Sequence, residues 1–284
     1  MTSRGKASLK RISELLDADI DVCDGPNVRD MEQITGEIEF RNLTFSYPGN
    51  GPEVLKDLSF TIKAGETAAF VGSTGSGKTT ILSLICRNYD IQKGQILIDG
   101  MDIKKIKISA LRRHFGQMLQ DVYLFTGTIR SNILLRMEGV SDEEVMDACR
   151  YVNADRFINR LKNGLDEEVR ERGNNFSAGQ RQLLSFARTV IHKPSVMILD
   201  EATANIDTET ERLIQDSLTK MRNIGTMLVV AHRLSTIQHA DRIFVMSKGK
   251  IIEEGNHNEL LAKQSRYYRL YQLPYTKNAL LRGE

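Results

Sequence analysis

No stretch of this 284-residue chain approaches 18 consecutive apolar residues, so no membrane-spanning helix is expected. The segment from Met1 to Asp30 is charged throughout, which leaves no apolar centre for a secretory signal. Charge of one sign is scarce too. Lys and Arg number 39 against 37 Asp and Glu, a net +2 that argues for no nucleic acid or other polyanion as partner. There are only three cysteines, Cys23, Cys86 and Cys149. Their odd number and spacing fit no metal site, and they read as reduced thiols of a cytosolic protein. Internal repeats and low-complexity tracts are absent as well. What remains is ordinary globular composition, 40% hydrophobic and 27% charged, in a chain long enough for one large domain or two modest ones.

Against that plain background stands Gly72-Ser73-Thr74-Gly75-Ser76-Gly77-Lys78-Thr79, which fits the P-loop pattern G-x-x-x-x-G-K-[ST]. Thr67 to Val71 before it is apolar and strand-like. Thr80 to Ile85 after it is apolar at helical spacing. Strand, Gly-rich loop and helix in that order make a phosphate cradle, because backbone N–H groups turn inward at a helix N-terminus. Lys78 is expected to reach the β- and γ-phosphates, and Thr79 to place its hydroxyl on Mg²⁺.

A short amphipathic helix is expected around Leu9, Ile12, Leu15 and Leu16, followed by a linker from Asp17 to Asn27. From Glu37 the period changes to two. Ile38, Phe40, Leu43 and Phe45 mark strand-like segments broken at Asn42, with Tyr47 at the strand end. An aromatic there either stacks on a base or simply packs. Further strands are expected at Val54–Ile62, Gly94–Gly100 and Phe115–Leu119. Residues 121–190 read as a helical insertion within an α/β frame, with a capping box at Ser141 to Glu144. Ser195 to Glu201 reads as a buried parallel strand that delivers two carboxylates to its C-terminal edge, where open α/β sheets bind ligands. Asp200 would meet Mg²⁺ through water, and Glu201 would polarise the water attacking the γ-phosphate. Met227 to Ala231 is another such strand, ending at His232. A hairpin is expected over Ile243–Glu253 and a helix from Asn258 to Ala262; the Tyr- and Arg-rich C-terminus says little.

Asn175-Phe176-Ser177-Ala178-Gly179-Gln180-Arg181-Gln182 resembles the LSGGQ signature of ATP-binding cassette (ABC) proteins, and it precedes the Asp200-Glu201 strand as in that family. The resemblance covers about residues 5–275. It implies an α/β fold: a P-loop NTPase (RecA-like) core with an antiparallel β subdomain and an inserted α-helical subdomain. It implies ATP and Mg²⁺ at Tyr47, at Gly72 through Thr80, and at Asp200. Tyr47 matches the adenine-stacking aromatic. Gln120 matches the Q-loop glutamine, a Mg²⁺ and γ-phosphate sensor facing a transmembrane partner, with Gln117 as the nearby alternative. His232 matches the switch histidine and Asp207 the D-loop aspartate. Ser177, Ala178, Gly179 and Gln180 would form a second anion site that serves the nucleotide of a partner domain in a head-to-tail dimer.

Several variants look like the exporter branch. Ala231 to Thr236, Glu254 to Leu260 and the loop Glu171-Arg172-Gly173 are similar to exporter motifs. Lys6 to Leu16 resembles the cytoplasmic end of a last transmembrane helix. The implied organisation is a helix end and linker over 1–35, a nucleotide-binding domain over 36–275 and a tail over 276–284. The membrane part would be missing or separately encoded, and this chain would lie at the cytoplasmic face of the membrane. Ala178 and Phe176 depart from the usual glycine and leucine. Phe-Ser-x-Gly-Gln signatures are similar to those of heterodimeric bacterial multidrug exporters, which suggests a non-identical half-transporter as partner, with a homodimer as the alternative. The implied function is an ATP-hydrolysing motor for efflux of a drug, lipid or peptide. The alternatives are a regulatory module that holds ATP without turnover, and a soluble ABC ATPase of DNA repair or translation.

Overall fold

The structure, a computed structural model, describes residues 9–13, 22–49, 51–118, 121–200, 206–230 and 234–272. Gln120, Glu201 and His232 lie outside the described residues, as do Ala204 and Asn205 and most of Lys6–Leu16. The chain carries two main sheets. The first is antiparallel, in the order β2 (Leu55–Ile62), β1 (Ile38–Phe45), β4 (Lys93–Ile98) and β5 (Met101–Asp102). Asn42 does not end β1. It takes a positive φ of 45° and the register shifts between Phe40 and Leu43, so the expected break is a bulge within one strand.

The second sheet runs β12 (Lys250–Gly255), β11 (Arg242–Ser247), β3 (Thr67–Gly72), β10 (Thr226–Val230), β9 (Val196–Asp200) and β6 (Phe115–Met118). All neighbours but the β11–β12 hairpin are parallel. The central strands read as unbroken apolar runs because both faces are covered. Ala69, Val71, Met197, Leu199, Met227 and Val229 face one core; Ala68, Phe70, Val196, Ile198, Leu228 and Val230 face the other. The second core is shared with the antiparallel sheet and with helix α1 (Lys78–Ile85), which buries Ile81, Leu82, Leu84 and Ile85. After α2 (Ile108–Arg113), the other face takes α3 (Ile129–Leu134), α4 (Asp142–Tyr151), α5 (Asp155–Ile158), α6 (Ala178–Ile191) and α7 (Thr208–Met221).

The helical stretch is present, with α4 capped by Ser141 and Glu144 as expected. It also holds a two-residue ladder, β7 (Gly127–Thr128) against β8 (Glu168–Val169), too short to leave a periodic trace. Its last helix, α6, continues to Ile191 and packs on α7 and β6, so it belongs to the core as much as to the insertion. α8 (Leu234–Ile237) and α9 (His257–Ala262, capped by Asn256) follow. Residues 266–272 are helical. Tyr267 is buried with its phenol 2.7 Å from His257 Nδ1. The Glu253 carboxylate accepts from the Arg266 and Tyr267 amides.

The expected linker is anchored rather than loose from residue 23 on. Buried Arg87 donates to the Cys23 carbonyl at 3.0 Å and to that of Ile106 at 3.0 Å. Asp24 accepts from the Ile108 amide, Arg29 pairs with Lys105 and Lys107 through its backbone, and Asp99 takes the amides of Thr35, Gly36 and Glu37. The physical reason is that several backbone groups of the strap find hydrogen-bond partners on residues distant in sequence. No helix among the described residues is long and apolar enough to cross a membrane.

Candidate functional site

The phosphate cradle begins where β3 ends. Gly72 (φ 152°) and Gly77 (φ 103°) hold backbone conformations that side chains resist. A Cβ on Gly72 would overlap the Met246 carbonyl, and one on Gly77 would lie 2.6 Å from Leu55 Cδ2. Helix α1 then starts at Gly77, with no side-chain cap and no acidic residue in its first turn. Its leading N–H groups are therefore available to an anion.

Two side chains report on what the cradle is built for. Lys78 is buried, and its ammonium donates back to the Gly72 carbonyl at 2.9 Å and the Ser73 carbonyl at 3.0 Å. Burial pulls its pKa below the usual lysine range, while the Asp200 carboxylate pushes it back up. Ser76 Oγ is buried without a hydrogen-bond partner. A donor hydroxyl left unpaired in a Gly-rich loop, next to an ammonium resting on carbonyls, fits a phosphate chain.

Asp200 ends β9 in register with Val230 of β10, and Val230 is in register with Phe70 of β3. The carboxylate and the P-loop thus leave the same sheet edge, one strand apart. Thr79 is exposed in the first turn of α1. A hydroxyl and a carboxylate are hard oxygen donors, and Mg²⁺ takes one or two of these and completes its shell with water and substrate phosphates. The donor set fits that ion. Glu201 follows Asp200 in the chain and His232 comes two residues after Val230. Gln117 lies within β6, opposite Ile198.

Tyr47 is exposed two residues past β1. Its hydroxyl is 2.9 Å from Thr80 Oγ1, and its ring meets Phe45 at 5.2 Å and Tyr89 at 5.1 Å, both edge-on. A cleft of about 400 Å³ opens beside it, lined in part by Thr44, Ser46, Gln92 and Lys93. The contact with Thr80 is invisible in the sequence, because it joins residues 33 positions apart.

At the other candidate anion site, Ser177 caps α6: its Oγ accepts from the Gln180 amide at 3.2 Å, and Gln180 Oε1 accepts from the Ser177 amide at 2.9 Å. Ser177 and Ala178 are exposed, and Gly179 is buried against Thr210 and Ile206. Arg181 donates to the Phe176 carbonyl at 2.6 Å and the Gly173 carbonyl at 3.4 Å, fastening the Glu171–Gly173 turn to the head of α6. Asp207 caps α7 by accepting from the Thr210 amide, which holds its carboxyl below the usual range. Cys86 and Cys149 are buried, which pushes their thiols up to about 11 and about 12. They are inert at neutral pH.

The sequence pattern of a family described as ABC transporter matches residues 55–204. A probable multidrug resistance ABC transporter ATP-binding/permease protein, YheH of Bacillus subtilis (strain 168), is 50% identical over 242 residues, covering 85% of this chain and 36% of that protein. An ATP-dependent lipid A-core flippase of Syntrophus aciditrophicus (strain SB) is 42% identical over 275 residues, covering 97% of this chain and 45% of the flippase. The solved structure of a bacterial Atm1-family ABC exporter with ATP bound superposes with a TM-score of 0.85 at 37% identity, over 94% of this chain and 47% of that one. The chain thus spans less than half the length of these relatives.

Proposed function

Because this chain belongs to the ABC transporter family, whose ATP-binding domains hydrolyse ATP to power transport, we propose that it is the nucleotide-driven motor of an exporter. One observation carries the reading: an uncapped helix N-terminus, a carbonyl-parked lysine and an orphaned serine hydroxyl meet at the sheet edge from which Asp200 emerges. ATP is the substrate. Tyr47 receives the base, the amides from Gly72 to Thr80 receive the phosphates, and Lys78 leaves its two carbonyls for β- and γ-oxygens. Thr79, Asp200 and Gln120 would hold Mg²⁺, which when bound supplies positive charge against the phosphate oxygens. Glu201 orients the attacking water and accepts its proton, and His232 contacts the γ-phosphate. Positioning and electrostatics do most of the work in such transfers.

The partner reading follows from the second anion site. Ser177 through Gln180 would close over the nucleotide of a second, head-to-tail domain, with Asp207 beside that interface. A non-identical half-transporter remains the preferred partner. The membrane domain would dock at the segment that follows Gln120 in the chain, where Tyr123 and Phe125 are exposed with their rings 5.1 Å apart. Residues 1–35 would lead from that domain, 36–275 form the motor and 276–284 a tail, at the cytoplasmic face of the membrane. The exporter names of the relatives favour efflux over the regulatory, repair and translation alternatives.

The test compares three proteins in ATP binding and hydrolysis. Lys78→Ala should lose ATP affinity. Glu201→Gln should keep it and turn over about 10²- to 10⁴-fold more slowly than the wild type. Equal rates in Glu201→Gln and wild type would remove Glu201 from the chemistry.

A further inference from the structure

We propose that Thr80 is a positioning residue for the nucleotide base: its hydroxyl fixes the Tyr47 ring. The inference rests on the ATP reading above and deepens it. Thr80 is buried on the first turn of α1, with Tyr47 OH 2.9 Å from its Oγ1. A threonine in a helix commonly turns its hydroxyl back onto the carbonyl one turn earlier. Here the recorded partner is an exposed tyrosine 33 residues upstream.

A phenol on an exposed loop end has two torsions to lose on stacking. Three contacts remove that freedom in advance: the Thr80 hydroxyl at one end of the side chain, and the Phe45 and Tyr89 rings edge-on to it. Ordering a binding group beforehand strengthens binding without adding a contact to the ligand. Phe45 itself is fully buried, so the ring it meets is referred to the core of the antiparallel sheet. The chain neighbour of Thr80 is Thr79, the hydroxyl assigned to Mg²⁺. One turn of α1 therefore sets the base-stacking ring and the metal-side hydroxyl relative to each other, a gauge of the span from base to phosphates.

The experiment titrates wild type, Thr80→Val, Tyr47→Phe and the double variant with Mg·ATP and, separately, with Mg²⁺ and inorganic tripolyphosphate, which has the phosphates and no base. Each single variant should weaken ATP about three- to tenfold, the worth of one hydrogen bond. The double variant should be no weaker than either single, since both remove the same bond. Tripolyphosphate affinity should be unchanged throughout, and Thr80→Ser should restore ATP binding. Loss of tripolyphosphate binding in Thr80→Val, by the factor seen for ATP, would assign the hydroxyl to phosphate and overturn the proposal. So would a double variant whose loss is the product of the two singles. A wild-type chain that takes tripolyphosphate and ATP equally well would overturn base stacking at Tyr47 and Thr80's role with it. Failure to take either ligand would instead overturn the ATP reading.

Discussion

Gly179 shows how two small residues of one motif answer to different neighbours. A Cβ there would overlap Thr210 Cγ2 and press Ile206 Cγ2 at 3.2 Å, because the head of α6 crosses the head of α7. The position before it, Ala178, is exposed. Gly179→Ala is therefore expected to destabilise the fold by about 1–3 kcal/mol, the usual cost of forcing a methyl into a filled space. Ala178→Gly should stay within about 0.5 kcal/mol. Urea unfolding of both variants decides the matter, and equal midpoints would mean that α7 can yield. The pattern Ser-x-Gly-Gln marks this site in sequence, but a motif read along the chain cannot say that its glycine is demanded by a helix thirty residues on. The same holds for Lys78. Its place in the P-loop is legible, whereas its resting partners, the Gly72 and Ser73 carbonyls, are a matter of how the loop closes.

At the scale of elements, what the sequence displays is what is local. β3, β9 and β10 are legible as apolar runs because each is covered on both faces, and α4 is legible because Ser141 and Glu144 cap it reciprocally. The strap over 22–37 is not legible, since its partners lie 62 to 190 residues away. Nor is the helix over 266–272, whose Tyr267 is buried through contacts with His257 and Glu253 rather than through any periodicity. Arg87 is the strap's main fastening. Its guanidinium is buried, holds the Cys23 and Ile106 carbonyls, and lies 3.6 Å from both Asp24 and Asp90. Its Nε has no hydrogen-bond partner, so the Asp90 contact is ionic only. It follows α1 directly, past the Cys86 cap. Arg87→Met keeps the length and removes every donor. The expected result is a loss of about 1–3 kcal/mol, with faster amide hydrogen exchange at Arg29 and Lys107, which pair across the strap. Unchanged protection of those two amides would show that the backbone pairing holds the strap by itself.

For the molecule as a whole, the layered cores place both candidate anion sites on rigid supports. The P-loop grows from the central sheet and α1, and Ser177 heads a helix packed on α3, α4 and α7. A chain with both a donor face and an acceptor face for the same ligand can satisfy them head to tail, and a two-fold arrangement closes after two. Whether such pairing uses Ser177 can be tested without disturbing α6. Aspartate caps a helix about as well as serine, so Ser177→Asp should leave the fold's stability unchanged. Its carboxylate would nevertheless repel a γ-phosphate brought up by a partner, charge against like charge. In a Glu201→Gln background, where ATP persists, sedimentation with Mg·ATP should show pairing of the chain with itself or with a second half-transporter. Adding Ser177→Asp should abolish that pairing while ATP affinity of the single chain, set by the P-loop, stays the same. If pairing survives the added charge, α6 does not face the partner's nucleotide, and the head-to-tail arrangement is wrong for this chain.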